Sequence, residues 1–297
     1  MVPFGNLPLV MRLAVDINLS QARVPSRVGP ETSCNLFRQS AYLQKKEVPG
    51  MDTTLLRPIW ARIFRRAWFL NLVLFLILAG IRCWGLFGPT ETRMLVMLNF
   101  LLMWCFPFVF YSRSGRRAVG LNRIQDFRWL YRGMFFAALA SLIIFFIGYE
   151  LYGLGADNWY ISLRDSFDID AASKQLPRVQ LFLLYTVPAI FFSPVGEEFF
   201  FRGMIHAAVE KHLGGRAATV VNAAAFSSVH FLHHGIRQAS TGLPFTWVSG
   251  ALWFMMMMGL SWLLTQCRTQ GGSIWPAVAA HAAFNLVTNV TIFWVLL

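Results

Sequence analysis

Seven apolar runs of helix length constrain this chain more than any other feature. They are Ala67 to Ile81, Met94 to Tyr111, Gly133 to Leu154, Val179 to about Ala208, Ala217 to Phe231, Phe245 to Leu264 and Ile274 to Leu297. Each is too long for a strand and is read as a helix crossing about 30 Å of hydrocarbon. The fourth is interrupted by charge near its end. Charge is scarce elsewhere too: 13% of the 297 residues are Asp, Glu, Lys or Arg, about half the share of a soluble domain. A soluble fold could not hide this much apolar surface behind so few charges. The expected class is all-α, a polytopic transmembrane helix bundle of about seven spans, with six to eight as its bounds.

The chain carries 26 Lys and Arg against 14 Asp and Glu, a net charge of +12. Such basicity can signal nucleic acid, but here nearly all of it is Arg, clustered beside the apolar runs. That pattern reports topology, and no nucleic-acid partner is expected. Arg57, Arg62, Arg65 and Arg66 precede the first run, and Arg113, Arg116, Arg117, Arg123, Arg128 and Arg132 follow the second. Both ends, and with them the N-terminus, are assigned to the cytoplasm. The stretch from Ala156 to Arg178 holds Asp157, Asp165, Asp168 and Asp170 and suits the opposite face. Lys211 and Arg216 then mark a second inner end, and the C-terminus falls outside.

Three regions follow. Residues 1–50 are polar, with Pro3, Pro8, Pro25, Pro30 and Pro49, and read as a disordered tail or as sequence upstream of a true start at Met51. They contain no secretory signal, since Leu7 to Val15 is broken by Arg12. Residues 51–178 comprise a basic leader and three spans, and residues 179–297 comprise four spans. Cys34, Cys83, Cys105 and Cys267 are scattered without a C-x-x-C pair and read as free thiols.

Glu197 and Glu198 stand between Phe191-Phe192 and Phe199-Phe200-Phe201. A charge at that depth costs about 2.5–3.5 kcal/mol, so it needs a partner or a task. Residues four apart share a helix face, so Glu198 is expected to pair with Arg202 while Glu197 faces elsewhere and stays free. An ion cluster at the cytoplasmic rim is the alternative. His230, His281 and Asn285 are the other polar residues of interest within apolar runs. One such histidine is ordinarily a packing residue; two, with an Asn four residues after one of them, are harder to ascribe to packing. At about 1.5 Å per residue, Glu197, His230, His281 and Asn285 all fall roughly 10–20 Å from the cytoplasmic side. They are expected to meet in one cavity opening toward it.

Glu197-Glu198-x-x-x-Arg202, Phe226-x-x-x-His230 and His281-x-x-x-Asn285, with Gly272-Ser273-Ile274-Trp275-Pro276 before the last, resemble the CPBP family of intramembrane glutamic proteases. That family includes the CAAX prenyl endopeptidases and bacteriocin-processing proteins. The resemblance covers about residues 179–297 and leaves 1–178 unassigned. It implies a membrane-embedded endopeptidase that cleaves without a covalent intermediate. Glu197 would be the base that activates water and His230 its helper. His281 and Asn285 would donate to the oxyanion, while Glu198 and Arg202 support the site. It further implies no cofactor, a protein or peptide substrate cut near the bilayer, and residence in a bacterial inner membrane.

Other readings stay open. A zinc-dependent version could draw on Glu197, His230, His233, His234 and His281, although the helix-borne H-E-x-x-H pair is absent. His233 and His234, next to Gly235, are read as solvated or interfacial. A serine mechanism would use Ser261 with His281, but Ser261 is read as a packing residue. A non-catalytic binding protein of the same fold, an immunity or chaperone-like factor, or a transporter with buried charges completes the set.

Overall fold

The computed structural model describes residues 54–166, 169, 174, 176–236 and 247–297; the reading of residues 1–50 lies outside them. Residues Gly50–Leu297 form one compact unit. Among the described residues the regular structure is helical, and an isolated antiparallel bridge joins Leu56 to Tyr111.

A short helix α1 (Pro58–Phe64) begins on a proline, whose missing N–H costs nothing in a first turn. It leads into α2 (Ala67–Phe87), then α3 (Met94–Phe110) and the short α4 (Arg113–Val119). The Ser112 hydroxyl caps α4 by accepting from the Gly115 N–H, and Gly120 closes it at φ 99°, where a side chain would be strained. There follow α5 (Arg128–Tyr152), α6 (Trp159–Ser166), α7 (Arg178–Glu197), a π-helical segment (Glu198–Ile205), α8 (His206–His230), α9 (Trp247–Gly271) and α10 (Trp275–Val295).

Six helices are long and apolar enough to cross a membrane. The fourth, Arg178–His230, has 53 residues, about 80 Å at 1.5 Å per residue and more than twice the hydrocarbon thickness. It is broken at Gly214, whose φ of 81° and ψ of 166° are not helical. The break separates residues 178–213 from 215–230, so each of the seven apolar runs lies mainly on a helix over its described residues. Large apolar side chains such as Leu76, Phe135, Phe146 and Leu184 point outward from these helices, as a lipid-facing surface requires. The protein is an integral membrane protein built as a polytopic helical bundle.

Small residues set the close approaches. A Cβ added at Gly133 of α5 would stand 2.7 Å from Cys267 Sγ on α9 and 3.2 Å from Ala280 Cβ on α10. About two turns farther along α5, Ser141 Oγ lies 2.8 Å from Tyr160 Oη and 2.9 Å from Thr288 Oγ1. Gly133→Leu should therefore force α5 off both neighbours and cost about 1–3 kcal/mol, read as a lower melting temperature in detergent. An unchanged melt would show that the contact yields.

Lys211 Nζ reaches Thr54 Oγ1 at 2.6 Å, and Ser112 N donates to Leu55 O at 2.8 Å, which gathers the basic segments around α1 and α4. At the far end of the same helical arm, Arg178 Nη2 donates to Leu297 O at 3.0 Å, and Arg164 Nη1 to Leu296 O at 3.3 Å. The Gly272-Ser273-Ile274 turn docks on the chain leaving α4: Ile274 N donates to Gly120 O at 2.8 Å and Ser273 Oγ to Asn122 O at 2.8 Å.

Candidate active site

Glu197 is the last residue of α7 and Glu198 the first of the π-helical segment. Pro188 and Pro194 lie inside α7, each removing one backbone donor from its ladder, and beyond them the chain widens into the i→i+5 pattern that recurs at functional sites. Every residue of Glu198–Ile205 is buried, and the Glu197, Glu198 and Arg202 side chains are fully enclosed.

Arg202 Nη1 lies 3.1 Å from Glu198 Oε1, the pairing expected from the i, i+4 spacing. The guanidinium carbon also sits 4.0 Å from the centroid of the Phe226 ring. Four residues after Phe226 on α8, the His230 ring packs on it with centroids 4.1 Å apart, and the His281 ring meets its edge at 5.8 Å. The three spaced motifs thus converge on one aromatic side chain. His281 then joins the two carboxylates: its Nδ1 is 2.7 Å from Glu198 Oε1 and its Nε2 is 4.0 Å from Glu197 Oε2. The neighbouring glutamates therefore do not face unrelated surroundings, as a regular helix would have had them.

Glu197 is not free. Its Oε1 accepts from Arg82 Nη1 at 3.1 Å, and its buried Oε2 has no hydrogen-bond partner among the described residues. His230 Nε2 faces that oxygen from 3.8 Å and His281 Nε2 from 4.0 Å. Hydrogen bonding assigns the tautomers. His230 Nδ1 lies 2.8 Å from Phe226 O, an acceptor only, so Nδ1 carries the proton. His281 Nδ1 faces a carboxylate oxygen already shared with a guanidinium, so it too is a donor. In the neutral rings both Nε2 atoms are lone pairs, and three acceptors converge. A water molecule's two O–H groups can satisfy two of the three.

Asn285 is placed differently from the expectation. It lies one turn after His281 on α10, half-buried, and its Nδ2 donates to Ala189 O of α7 at 2.8 Å. Its amide is tied to backbone, with no direct contact to Glu197.

His233 and His234 are buried, at 4% and 1% exposure, which overturns their reading as solvated residues. After His230 the chain leaves the helix in a turn that folds inward under α6, with Gly235 at φ 40°. His233 Nε2 lies 3.2 Å from Arg82 Nη2. His234 Nδ1 is 2.8 Å from Ser162 Oγ and its Nε2 is hydrogen-bonded to Ser249 Oγ at 2.5 Å. Burial pushes the His234 pKa down to about 4. Its folded value lies below the unfolded 6.5, so this neutral ring contributes stability that is fully present above pH 6.5 and is lost as pH falls toward 4. The melting temperature should fall between pH 7 and pH 5, and fall less in His234→Gln. Identical drops in both proteins would remove His234 from the account.

Glu197, His230 and His281 offer ligand types that zinc accepts. Yet among the described residues no group of three or more His, Cys, Asp or Glu side chains is disposed to hold a metal ion. His233 and His234 are committed to Arg82 and to two serines. Ser261 is buried on α9 and donates to Asn222 Oδ1 at 3.4 Å, a packing contact.

Arg82 is the residue that reading the sequence missed. The first apolar run read from the sequence stops at Ile81, one residue before it. In the structure α2 continues to Phe87, with Arg82 at 4% exposure. The signal was available: Cys83 to Phe87 is apolar again, so Arg82 interrupts a span and does not close it.

Residues 179–287 match the family model described as type II CAAX prenyl endopeptidase Rce1-like. The match covers 109 of the 297 residues. No curated protein and no solved structure matches the chain. The Rce1-like domain contains Glu197, Glu198, Arg202, Phe226, His230, His281 and Asn285, whereas Arg82 lies outside it. It is a domain of a protease family, here in a chain whose helices span a membrane.

Proposed function

We propose that this protein is an intramembrane endopeptidase of the glutamic type. It hydrolyses a peptide bond of a membrane-associated protein or peptide by attack of water, without a covalent intermediate and without a metal. The observation that carries this reading is the convergence of Glu197 Oε2, His230 Nε2 and His281 Nε2 beneath an enclosed carboxylate pair. A water there donates one O–H to Glu197 and the other to His230, which aligns its lone pair for attack. Glu197 takes the proton as the oxygen adds to the scissile carbonyl and returns it to the leaving amine. His281 donates to the oxyanion when it enters the reaction already doubly protonated, its extra proton drawn from solvent and kept through the cycle, and Glu198, on Nδ1, supplies the countercharge that the imidazolium needs. Asn285 spends one N–H on Ala189 O and has a second to offer.

Residues 179–297 are the catalytic core in this reading, and residues 51–178 the basic leader and first three spans. The site opens to the cytoplasm of a bacterial inner membrane, and the N-terminus lies on that side. Arginines grouped at one end of the bundle support this orientation. A CAAX-type substrate, a prenylated C-terminal cysteine peptide, follows from the family's name only.

The test compares membranes from cells producing the wild-type protein with those producing Glu197→Gln. New protein termini should be present in the first alone, and the uncut substrate should co-purify with the variant for identification by mass spectrometry. Identical termini in both would sink the glutamate mechanism. Cleavage lost to a chelator and restored by zinc would assign the metal-dependent alternative.

A further inference from the structure

We propose that Arg82 is a positioning residue of this active site, holding the Glu197 carboxylate through a hydrogen-bonded chain that starts in α6. The inference rests on the function proposed above and adds residues that the Rce1-like segment does not contain. Arg82 lies within the α2 span at 4% exposure. A cation at such a place is costly and ordinarily marks function.

The direction of each bond can be fixed. A guanidinium only donates, so His233 Nε2, 3.2 Å from Arg82 Nη2, is an acceptor. The proton of a neutral His233 is then on Nδ1, which faces Ser166 Oγ at 3.4 Å. Ser166 in turn donates its hydroxyl proton to Leu163 O at 2.8 Å, leaving its lone pairs to His233. At the other end Arg82 Nη1 donates to Glu197 Oε1 at 3.1 Å. No link has a choice of partner roles, so the guanidinium is held by a chain of single polarity. The Phe100 ring lies 5.5 Å from its central carbon. One consequence is chemical: Oε1 is occupied, and Oε2, the oxygen toward His230 and His281, is the one left to accept a proton. The second is electrostatic, since Arg82 supplies the countercharge that lets a carboxylate remain ionised in an enclosed site. Arg202 acts on Glu197 only at longer range, its guanidinium lying against Glu198, so the direct contact is Arg82's.

The test uses full-length protein in proteoliposomes and a peptide whose cleavage depends on Glu197. Arg82→Met should lower kcat on the order of a hundredfold with KM within about twofold. Arg82→Lys keeps the charge but loses the fork, and should recover about tenfold of that loss. Wild-type kcat in Arg82→Met, a change confined to KM, or a lysine variant no better than the methionine one would overturn the proposal. If Arg82→Met does not fold, the double variant Arg82→Met/Glu197→Gln decides. Recovery to the melting temperature of Glu197→Gln means that Arg82 serves that carboxylate; no recovery overturns the proposal. If Glu197→Gln is inactive and Arg82→Met is not impaired, only the present inference falls. Should no cleavage depend on Glu197, the proposed function falls, and the melting comparison alone judges the pairing.

Discussion

Glu197→Gln is expected to lower kcat by about 10⁴-fold, while the protein still inserts and folds. The size follows from what the substitution removes. Glu197 Oε2 is the acceptor facing both His230 Nε2 and His281 Nε2. An amide of the same shape cannot take the water's proton or return one to the leaving amine. His230 and His281 can still align a water, which leaves a residual rate above none. Folding survives because the glutamine oxygen can accept from Arg82 as Oε1 does now. The cost is the loss of a charge-assisted bond, about 1–3 kcal/mol, and not the larger penalty of an Arg82 with no acceptor. Measuring both kcat and the melting temperature separates the two effects. Full activity with a lowered melting temperature would make Glu197 a structural ion-pair residue.

The comparison of sequence with structure turns on charge inside apolar segments. Long apolar runs are legible because lipid leaves a chain few alternatives to the helix, and the described residues of the seven runs are mainly helical. Arg202 was legible because its partner is four residues away on the same chain. Arg82 was not, because its partner, Glu197, is 115 positions away. His233 and His234 were misread for a related reason: Gly235 signals a turn, but not whether the turn folds toward water or toward the core. The π-helical segment leaves no periodicity of its own, so the joint contact of His281 with both glutamates had to come from coordinates. Asn285 shows the limit of register arguments. Four residues from His281 puts it on the same face, yet its Nδ2 donates to Ala189 O of α7.

Arg202→Met is expected to be the most destabilising of these substitutions, by about 3–5 kcal/mol. The Arg202 side chain is fully buried, and although Nη1 is 3.1 Å from Glu198 Oε1, none of its three guanidinium nitrogens has an aligned hydrogen-bond acceptor. It is held by charge and by the face of Phe226, 4.0 Å away. Methionine fills much of the same volume, so packing alone predicts a small effect. The large one comes from Glu198, which would keep only His281 as a partner at a site where an uncompensated carboxylate is costly. Arg202→Met/Glu198→Gln should therefore be more stable than Arg202→Met alone, a non-additivity that a double-mutant cycle of melting temperatures reads directly. Arg202→Lys should not substitute, because an ammonium cannot lie flat on an aromatic ring while reaching a carboxylate. If the single and double variants melt alike, the pair contributes little and the Phe226 contact carries Arg202. In that case Phe226→Leu should reproduce the loss, since about 2 kcal/mol of a desolvated cation–π contact resides in the ring.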